Sequence, residues 1–425
     1  MGRMDRKLTK RKQSAVAAVV VLVCVAAVLW KKNAVEPERV ETAPTVVQKT
    51  SQKKTDTETA AKQKIIEKKA APKPKEVIQK ATIMASGDML YHDVVYEGAY
   101  VDEKYDFNSN YQFITPLISA ADLALGDFEG TINPDRELVG YPIFNAPQEV
   151  VATIKNAGYD AISLAHNHIL DTGISGLRAT KKIFNQAGLD VFGIKTTADD
   201  TLLIKEVNGI KIALLGYSYG FNGLEALLSE EEYQYYLKDL DMAKVEREIK
   251  QAEKEADLTV VMPQAGVEYS LQPTEEQQTI YRQMIDFGAD IIFGGHPHVA
   301  EPTEIVEKDG QRKFIIYSMG NLLSNQRYET LGNYWTERGV IPEVEVTKKE
   351  GQTVLSDIKL HPTWVSREPR GWTTPSGYQA YKYQVLLAED YIKGGQYEHT
   401  LPPEKEKRIV TAYNEMLELL DLKWE

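Results

Sequence analysis

Five of the seven histidines of this 425-residue chain lie in three short clusters, each directly after an apolar run. The clusters are Tyr91-His92, His166-Asn167-His168 and His296-Pro297-His298. Two further apolar runs end in acids, at Gly87-Asp88 and at Gly126-Asp127-Phe128-Glu129. Imidazole and carboxylate groups together suit zinc, manganese or iron. The sequence therefore predicts a metal site at the ends of several strands.

Each of these residues, taken alone, has a simpler explanation. An aspartate at a strand end often caps a helix or forms a turn, and a single histidine is more often structural than a ligand. The clusters together are harder to explain in this way, because independent placement would scatter the histidines through loops and helices. Ser318 has no partner base that is evident from the sequence, which argues against a serine hydrolase.

Short apolar strands alternate with amphipathic helices from residue 81 onwards. The predicted strands are 82–85, 123–126, 161–164, 191–194, 210–215, 258–262, 291–293 and 314–317, and the predicted helices are 148–156, 175–186, 242–255, 275–287 and 403–422. Three of these helices end in glycine and lead through Gly-x-Asp into a strand, as helix C-terminal caps commonly do. This repeated unit predicts an α/β fold. Functional groups in such folds gather beyond the carboxyl ends of the strands, so we expect the clusters to converge.

The charge of the chain is divided unevenly. Residues 1–80 contain 19 Lys+Arg and 8 Asp+Glu, whereas the remaining residues contain 31 and 54. Nucleic-acid binding requires lysine and arginine to replace the counterions of the phosphate backbone. The acidic main part of the chain therefore argues against nucleic acid as a partner.

The N-terminal region predicts a membrane anchor. Residues 14–30 contain no charged side chain, and the basic segment 1–13 precedes them, which places the N-terminus in the cytoplasm and the bulk of the chain outside. A cleaved signal peptide is the alternative, although the Trp30-Lys31-Lys32 region is a poor cleavage site. Residues 31–80 are rich in Lys, Thr, Glu and Gln, which predicts a disordered stalk. We expect one domain over 81–330 and a C-terminal extension, 331–425, packed on it.

The order of the strand-end motifs resembles that of the calcineurin-like metallophosphoesterases. The series is Gly87-Asp88, then Gly126-Asp127-Phe128-Glu129, then Asn167-His168, then Gly295-His296-Pro297-His298. It is more similar to their capsule-synthesis branch, the CapA or poly-γ-glutamate synthesis family, of which Gly266-Val267-Glu268-Tyr269 and Tyr317-Ser318-Met319-Gly320-Asn321 are further marks. The resemblance covers about residues 82–325.

This resemblance implies a four-layer α/β/β/α sandwich that holds two divalent ions of manganese, zinc or iron. The implied metal ligands are Asp88, Asp127, Asn167, Gln264, His296 and His298, with Asp127 as the bridging carboxylate. The implied general acid is His168, so that His168 and Asp127 are the catalytic residues. The family's chemistry then implies attack by a metal-bound hydroxide. Glu129 and Glu268 are the expected substrate contacts.

Three departures from the family pattern concern the metal ligands. His92 lies two positions beyond the usual histidine of Asp-x-His. Gln264-Ala265 stands where the family often has His-Trp, and Glu129 replaces the second acid of Gly-Asp-x-x-Asp one position early. We therefore expect one metal position to bind weakly, and we expect His166 to support the site without binding a metal.

Two functions remain open at the level of the sequence. The first is a membrane-anchored, extracytoplasmic, metallophosphatase-like enzyme of bacterial capsule or poly-γ-glutamate biosynthesis. The second is a non-catalytic scaffold that binds an anionic cell-surface polymer beside membrane-embedded capsule synthesis proteins. The Gln264 substitution favours the scaffold, whereas the presence of Asp127, His168 and His296 favours chemistry.

Overall fold

The computed structural model describes residues 77–198, 200 and 202–424. These residues form an α/β fold with two large mixed sheets, which confirms the predicted fold class. The predicted membrane segment 14–30 and most of the predicted stalk lie outside the described residues. Among the described helices, none is long and apolar enough to cross a bilayer.

The first sheet contains eight strands, in the order β16-β15-β14-β1-β4-β5-β6 with β13 beside the end of β1. Its strands are β1 (Ile78–Met89), β4 (Leu123–Phe128), β5 (Ala161–Ser163), β6 (Asp190–Phe192), β13 (Asn321–Leu323), β14 (Arg338–Lys349), β15 (Gln352–Thr373) and β16 (Gln379–Leu387). The strands β1, β4, β5 and β6 run parallel. Their carboxyl ends therefore meet at one edge of the sheet.

The second sheet has the order β11-β12-β10-β9-β8-β7. Its strands are β7 (Leu203–Val207), β8 (Ile210–Ser218), β9 (Leu258–Gln264), β10 (Ile291–Phe293), β11 (Ala300–Lys308) and β12 (Gln311–Met319). The short strands β2 (Tyr100–Val101) and β3 (Lys104–Tyr105) form a separate hairpin. The strands β8, β9, β10 and β12 are parallel, so this sheet also presents one edge of carboxyl ends.

Helices connect or flank many of these strands. They are α1 (Asp93–Gly98), α2 (Thr115–Ile118), α3 (Val150–Asn156), α4 (Gly173–Gln186), α5 (Glu230–Tyr236), α6 (Met242–Glu255), α7 (Glu275–Phe287), α8 (Tyr328–Leu331) and α9 (Pro403–Leu420). The start of α7 is fixed by a capping box, in which Thr274 and Gln277 each bond to the other's backbone N–H. The side chain of Asp241 caps α6 in a similar way.

The alternation of side chains along each strand divides the core into layers. Ile83 of β1 and Val260 of β9 lie in one apolar cluster shared by the two sheets. Met84 of β1 points to the opposite face, into a cluster that includes residues of α3 and α4, and Val261 of β9 points into a cluster with residues of α6 and α7. Both sheets are thus buried on both faces, which explains their continuous apolar runs.

Residues 331–425 contribute three long strands to the first sheet. Strand β14 pairs antiparallel with β1 from Ile78 to Met84, and β15 and β16 follow it outwards. Strands from both sides of residue 330 therefore share one sheet. Strand β1 begins at Ile78, within the segment that the sequence assigned to the stalk.

Candidate metal centre

Asp88 and Asp127 end neighbouring strands of the first sheet and are paired in register. Strands β1 and β4 run parallel, with Asp88 opposite Asp127. On the other side of β1, Asn321 of β13 is the register partner of Asp88. All three side chains are buried. Two carboxylates and an amide thus lie side by side at one edge of the sheet.

Gly87 allows β1 to approach the turn before β13 closely. A Cβ atom at residue 87 would lie 1.9 Å from the carbonyl oxygen of Gly320, which belongs to the backbone and cannot move aside easily. The backbone N–H of Asp88 donates to that same carbonyl at 3.1 Å. The Ser-Gly-Asp sequence at this strand end therefore reflects a steric requirement as well as the chemistry of Asp88.

The loop that carries His296 and His298 crosses directly over the two aspartates. A Cβ atom at Gly295 would lie 3.0 Å from Oδ1 of Asp88 and 3.3 Å from Oδ2 of Asp127. The backbone φ angles of His296 and His298 are 95° and 58°, in the left-handed region. Non-glycine residues adopt this conformation at a cost, and such residues concentrate at functional sites. The loop after β10 of the second sheet, which carries both histidines, thus lies against the carboxylates of the first sheet.

His298 lies among the acids of the first sheet. Its Nδ1 is 2.9 Å from Oδ2 of Asp88, 3.2 Å from Oδ1 of Asn321 and 3.8 Å from Oε2 of Glu129. Burial alone would lower the pKa of His298, but the carboxylates of Glu129 and Asp88 outweigh it and raise the pKa to about 9. In this arrangement a proton on Nδ1 neutralises part of the buried negative charge.

Glu129 belongs to the same cluster, although the sequence assigned it to substrate binding. Its side chain is buried, and neither carboxylate oxygen has a hydrogen-bond partner among the described residues. One ligand atom each from Asp88, Glu129 and His298 lie within 4.8 Å of one another, a grouping that could hold a metal ion. Burial, followed by the nearby Asp88 and Asp127, raises the pKa of Glu129 well above its usual range. Because Asp127 and Glu129 are two positions apart, strand alternation could have indicated their shared face.

Gln264 of β9 links the second sheet to Asp127 of β4 and to Asn167, which follows β5. Nε2 of Gln264 donates to Oδ2 of Asp127 at 3.1 Å, and Oε1 of Gln264 accepts from the backbone N–H of Asn167 at 3.4 Å. Gln264 therefore joins Asp127 to the Asn167 loop with both ends of its amide. Burial lowers the pKa of His296 to about 3, so His296 is neutral. A neutral imidazole is the form that binds a metal.

The donor set fits divalent cations. Six buried acceptor atoms at the centre have no hydrogen-bond partner within the described part of the chain: Oδ1 of Asp88, Oδ1 of Asp127, Oε1 and Oε2 of Glu129, Oδ1 of Asn167 and Nδ1 of His296. Buried polar atoms without partners are costly, and native proteins rarely leave them so. Three carboxylates beside one another are also unfavourable without added positive charge. Metal ions would satisfy both requirements.

His168 is positioned by Asp171, which the sequence analysis did not identify. Nδ1 of His168 lies 2.8 Å from Oδ2 of Asp171, so Nε2 is the nitrogen left for a reacting group. Oδ2 of Asp171 also accepts the backbone N–H of Phe144 at 2.6 Å, and the Phe144 ring lies edge-on to His168 at 4.8 Å. The spacing of three residues between His168 and Asp171 was the available signal.

The remaining predicted residues lie around this centre in different ways. Nδ1 of His92 accepts the backbone N–H of Asn325 at 3.4 Å, and the His92 ring lies edge-on to that of Phe144. Burial lowers the pKa of His92 to about 4. His166 is fully buried, and neither ring nitrogen has a partner in the described residues. Glu268 is exposed, yet its charge helps to raise the pKa of His298. Asn321, which holds His298 by two contacts, was recognised only as part of a motif.

Comparisons with known proteins find relatives of this chain. A family model described as "Bacterial capsule synthesis protein PGA_cap" matches residues 82–326. The capsule biosynthesis protein CapA of Bacillus anthracis is 27% identical over 292 residues, which cover 66% of this chain and 67% of the relative. The PGA biosynthesis protein CapA of Bacillus subtilis (strain 168) is 29% identical over 276 residues, which cover 59% and 68%.

Two solved structures are also similar to the chain. A phosphatase from Mycoplasma pneumoniae is 14% identical with a TM-score of 0.41, and the match covers 67% of this chain and 94% of that one. The calcineurin-like phosphoesterase YfkN from Bacillus subtilis is 15% identical with a TM-score of 0.39, and the match covers 67% and 91%.

Proposed function

Because the chain belongs to the CapA family of bacterial capsule synthesis proteins, we propose that its folded part is a metal-dependent phosphoester hydrolase of capsule biosynthesis, of the calcineurin-like type. The observation that carries the proposal is the set of six buried acceptor atoms that have no hydrogen-bond partner among the described residues, on side chains at strand ends of both sheets. The proposal includes a four-layer α/β/β/α sandwich, supported by the division of the core into an inner cluster and two outer ones.

Two groups of residues would hold the ions. Asp88, Glu129 and His298 form the first group, and Asn167 and His296 form the second, with Asp127 beside both. When bound, the ions neutralise charge on a phosphoryl group and lower the pKa of a water molecule. Glu129 thus takes the part of a metal ligand in this proposal, in addition to the residues that the family pattern implies.

His168 and Asp171 would handle the proton of the leaving group. A carboxylate bonded to Nδ1 fixes the orientation of the ring and stabilises its protonated form. Nε2 of His168 can then donate a proton to the departing alkoxide, which is general acid catalysis. Gln264 keeps Asp127 and the Asn167 loop in register through its two amide contacts.

The cellular setting is a further part of the proposal. Residues 14–30 anchor the chain in the membrane as a single span, and the folded domain lies outside the cytoplasm, as the basic segment 1–13 supports. The name of the Bacillus subtilis relative, PGA biosynthesis protein CapA, supports a role in the synthesis of such a polymer. The proposal takes poly-γ-glutamate as the polymer and membrane-embedded capsule synthesis proteins as the partners. Protease added to intact cells should remove the domain while a cytoplasmic marker stays intact. Protection of both would contradict the topology.

A scaffold without catalysis is the second candidate. It is favoured by Gln264, whose Nε2–H group bonds to Asp127 where the family often has an imidazole ligand. An amide that donates to the bridging carboxylate occupies an oxygen that an ion would use. In this candidate the domain holds an anionic polymer beside the synthesis proteins.

Metal analysis of the full-length protein, combined with hydrolysis of bis(p-nitrophenyl) phosphate in Mn²⁺ or Zn²⁺, separates the two candidates. The enzyme requires about two ions per chain, and it requires activity that is lost in both Asp127→Ala and His296→Ala. If the folded protein binds ions but shows no turnover with any divalent cation, the scaffold candidate is favoured and the hydrolase is contradicted.

A further inference from the structure

Four aromatic side chains lie beside histidines of the metal centre or beside one another, and we call Tyr141, Phe144, Tyr219 and Tyr269 the aromatic rim. The Tyr219 ring lies 4.3 Å from that of His296, and the Tyr269 ring lies 6.2 Å from that of His298. Phe144 lies 4.8 Å from His168 and 6.5 Å from Tyr141. Tyr141 in turn is close enough to Tyr269 to raise its pKa. Three of the four rings thus lie next to a histidine of the site.

The tyrosines of the rim are exposed, although they contact a buried site. Tyr141 is 76% exposed, Tyr219 is 48% exposed and Tyr269 is 38% exposed. Tyr219 and Tyr269 therefore offer exposed aromatic surface beside His296 and His298, on which a ligand of the metal centre could pack. Phe144, the fourth member of the rim, is buried, and its backbone N–H donates to Asp171.

The charges around the rim are negative. The strongest electrostatic effects on Tyr219 and Tyr269 come from Glu129, Glu225, Glu268 and Tyr141, and those on His298 come from Glu129, Asp88 and Glu268. These carboxylates disfavour an anionic group beside the tyrosines, so the part of a ligand that contacts the rim should be uncharged.

Two glutamates beside the rim offer hydrogen-bond acceptors. Glu268 is exposed next to Tyr269, and Oε2 of Glu225 is buried near Tyr219 without a partner among the described residues. Ionised carboxylates only accept hydrogen bonds, so they favour a ligand that is rich in O–H donors.

We propose that the aromatic rim binds the uncharged sugar ring of a glycosyl phosphoester whose phosphoryl group lies at the metal centre. A sugar presents a face of C–H groups that packs on an aromatic ring, together with several hydroxyls that donate to carboxylates. A polycarboxylate chain would be repelled by Glu225 and Glu268. The inference rests on the proposed hydrolase and names the substrate class of the same site.

Binding to the Mn²⁺-loaded full-length protein tests the inference, with glucose 1-phosphate, methyl phosphate, adenosine monophosphate and an oligo-γ-glutamate as probes. We expect glucose 1-phosphate to bind about tenfold more tightly than methyl phosphate. Tyr219→Ala and Tyr269→Ala should each remove most of that difference, with metal content measured in each variant. Tyr378→Ala is the control, because Tyr378 is similarly exposed, at 47%, and lies in the turn before β16.

Equal affinity for glucose 1-phosphate and methyl phosphate would overturn the inference, as would tightest binding of the nucleotide or of the oligo-γ-glutamate. If no phosphate binds, the proposed hydrolase fails, and the rim is then tested alone with methyl glucoside. Saturation-transfer NMR signals from the sugar that weaken in Tyr219→Ala and Tyr269→Ala would support the rim as a sugar site. Absence of any such signal would reject it.

Discussion

Nδ1 of His298 lies 2.9 Å from Oδ2 of Asp88, so the imidazole and the carboxylate share a proton at the position where a cation would bind. The pKa of His298 is raised to about 9, and metal binding requires the neutral ring. Binding an ion must therefore release this proton at neutral pH.

We predict that metal affinity rises with pH until about pH 9. Below that value each pH unit should increase the affinity for Mn²⁺ about tenfold for each proton released. Calorimetry in buffers of different ionisation enthalpy would count the protons. An affinity that stays constant from about pH 6 to about pH 9 would show that Nδ1 does not face the ion.

Replacing Glu129 should weaken metal binding specifically. Glu129→Gln removes a buried carboxylate from the group with Asp88 and His298. We expect the affinity for Mn²⁺ to fall about tenfold or more. Glu301→Gln is the matched control, since Glu301 is also buried but bonds to Gln277. If the two variants bind Mn²⁺ with similar affinity, Glu129 is not a metal ligand, and the expected role as a substrate contact is favoured.

Replacing Asp171 should slow turnover without removing metal. Asp171→Asn leaves His168 without its carboxylate, and we expect kcat to fall about 100-fold. His168→Gln should have a similar effect, and the double variant should be no slower than either single one, because the two residues act as a unit. Additive losses measured in steady-state kinetics would separate their roles.

Adding a methyl group at residue 87 should destabilise the fold. In Gly87→Ala the new Cβ atom would meet the Gly320 carbonyl at 1.9 Å, and we expect a loss of about 3 kcal/mol or more in the free energy of unfolding. Gly220→Ala is the control, because no atom lies within 4 Å of a Cβ there. Denaturant unfolding that shows equal stability for both variants would contradict the close approach.

His361 should make stability depend on pH at a site far along the chain from the metal ligands. Its ring lies between Glu389, at 2.9 Å, and Glu343, at 3.1 Å. Burial alone would lower the pKa of His361, but the hydrogen bonds and charges of these acids outweigh it and raise the pKa. The stabilisation is therefore complete below the unfolded value of about 6.5 and is lost as pH rises through the higher folded value. Unfolding measured against pH should lose this slope in His361→Gln.

The sequence predicted the parallel strands well, for a physical reason. These strands are buried on both faces, so their sequences are continuously apolar. The apolar runs that begin at Leu123 and Ile291 can therefore be recognised from the sequence alone. The strands from Arg338 to Leu387 were not predicted, because β15 alternates irregularly and includes Pro362 and Pro369. Such residues are typical of strands near a sheet edge, where local pattern is weak.

The candidate site was only partly accessible from the sequence. A strand end that carries Asp88 or His298 can be recognised locally, but which acid faces which histidine depends on the crossing of two sheets. The partner of His168 lies only three residues away and could have been found. The place of Glu129 beside His298 depends on long-range packing, which no local pattern encodes.

The pairing of β1 with β14 also sets an order of events during synthesis. Strand β1 is the first strand of the described chain, yet much of its length pairs with a strand near the other end. Until the ribosome has made residues up to Lys349, β1 has an open edge beside it, and unpaired edges recruit other chains. A protein chain truncated before residue 338 should therefore aggregate instead of folding into a smaller active protein.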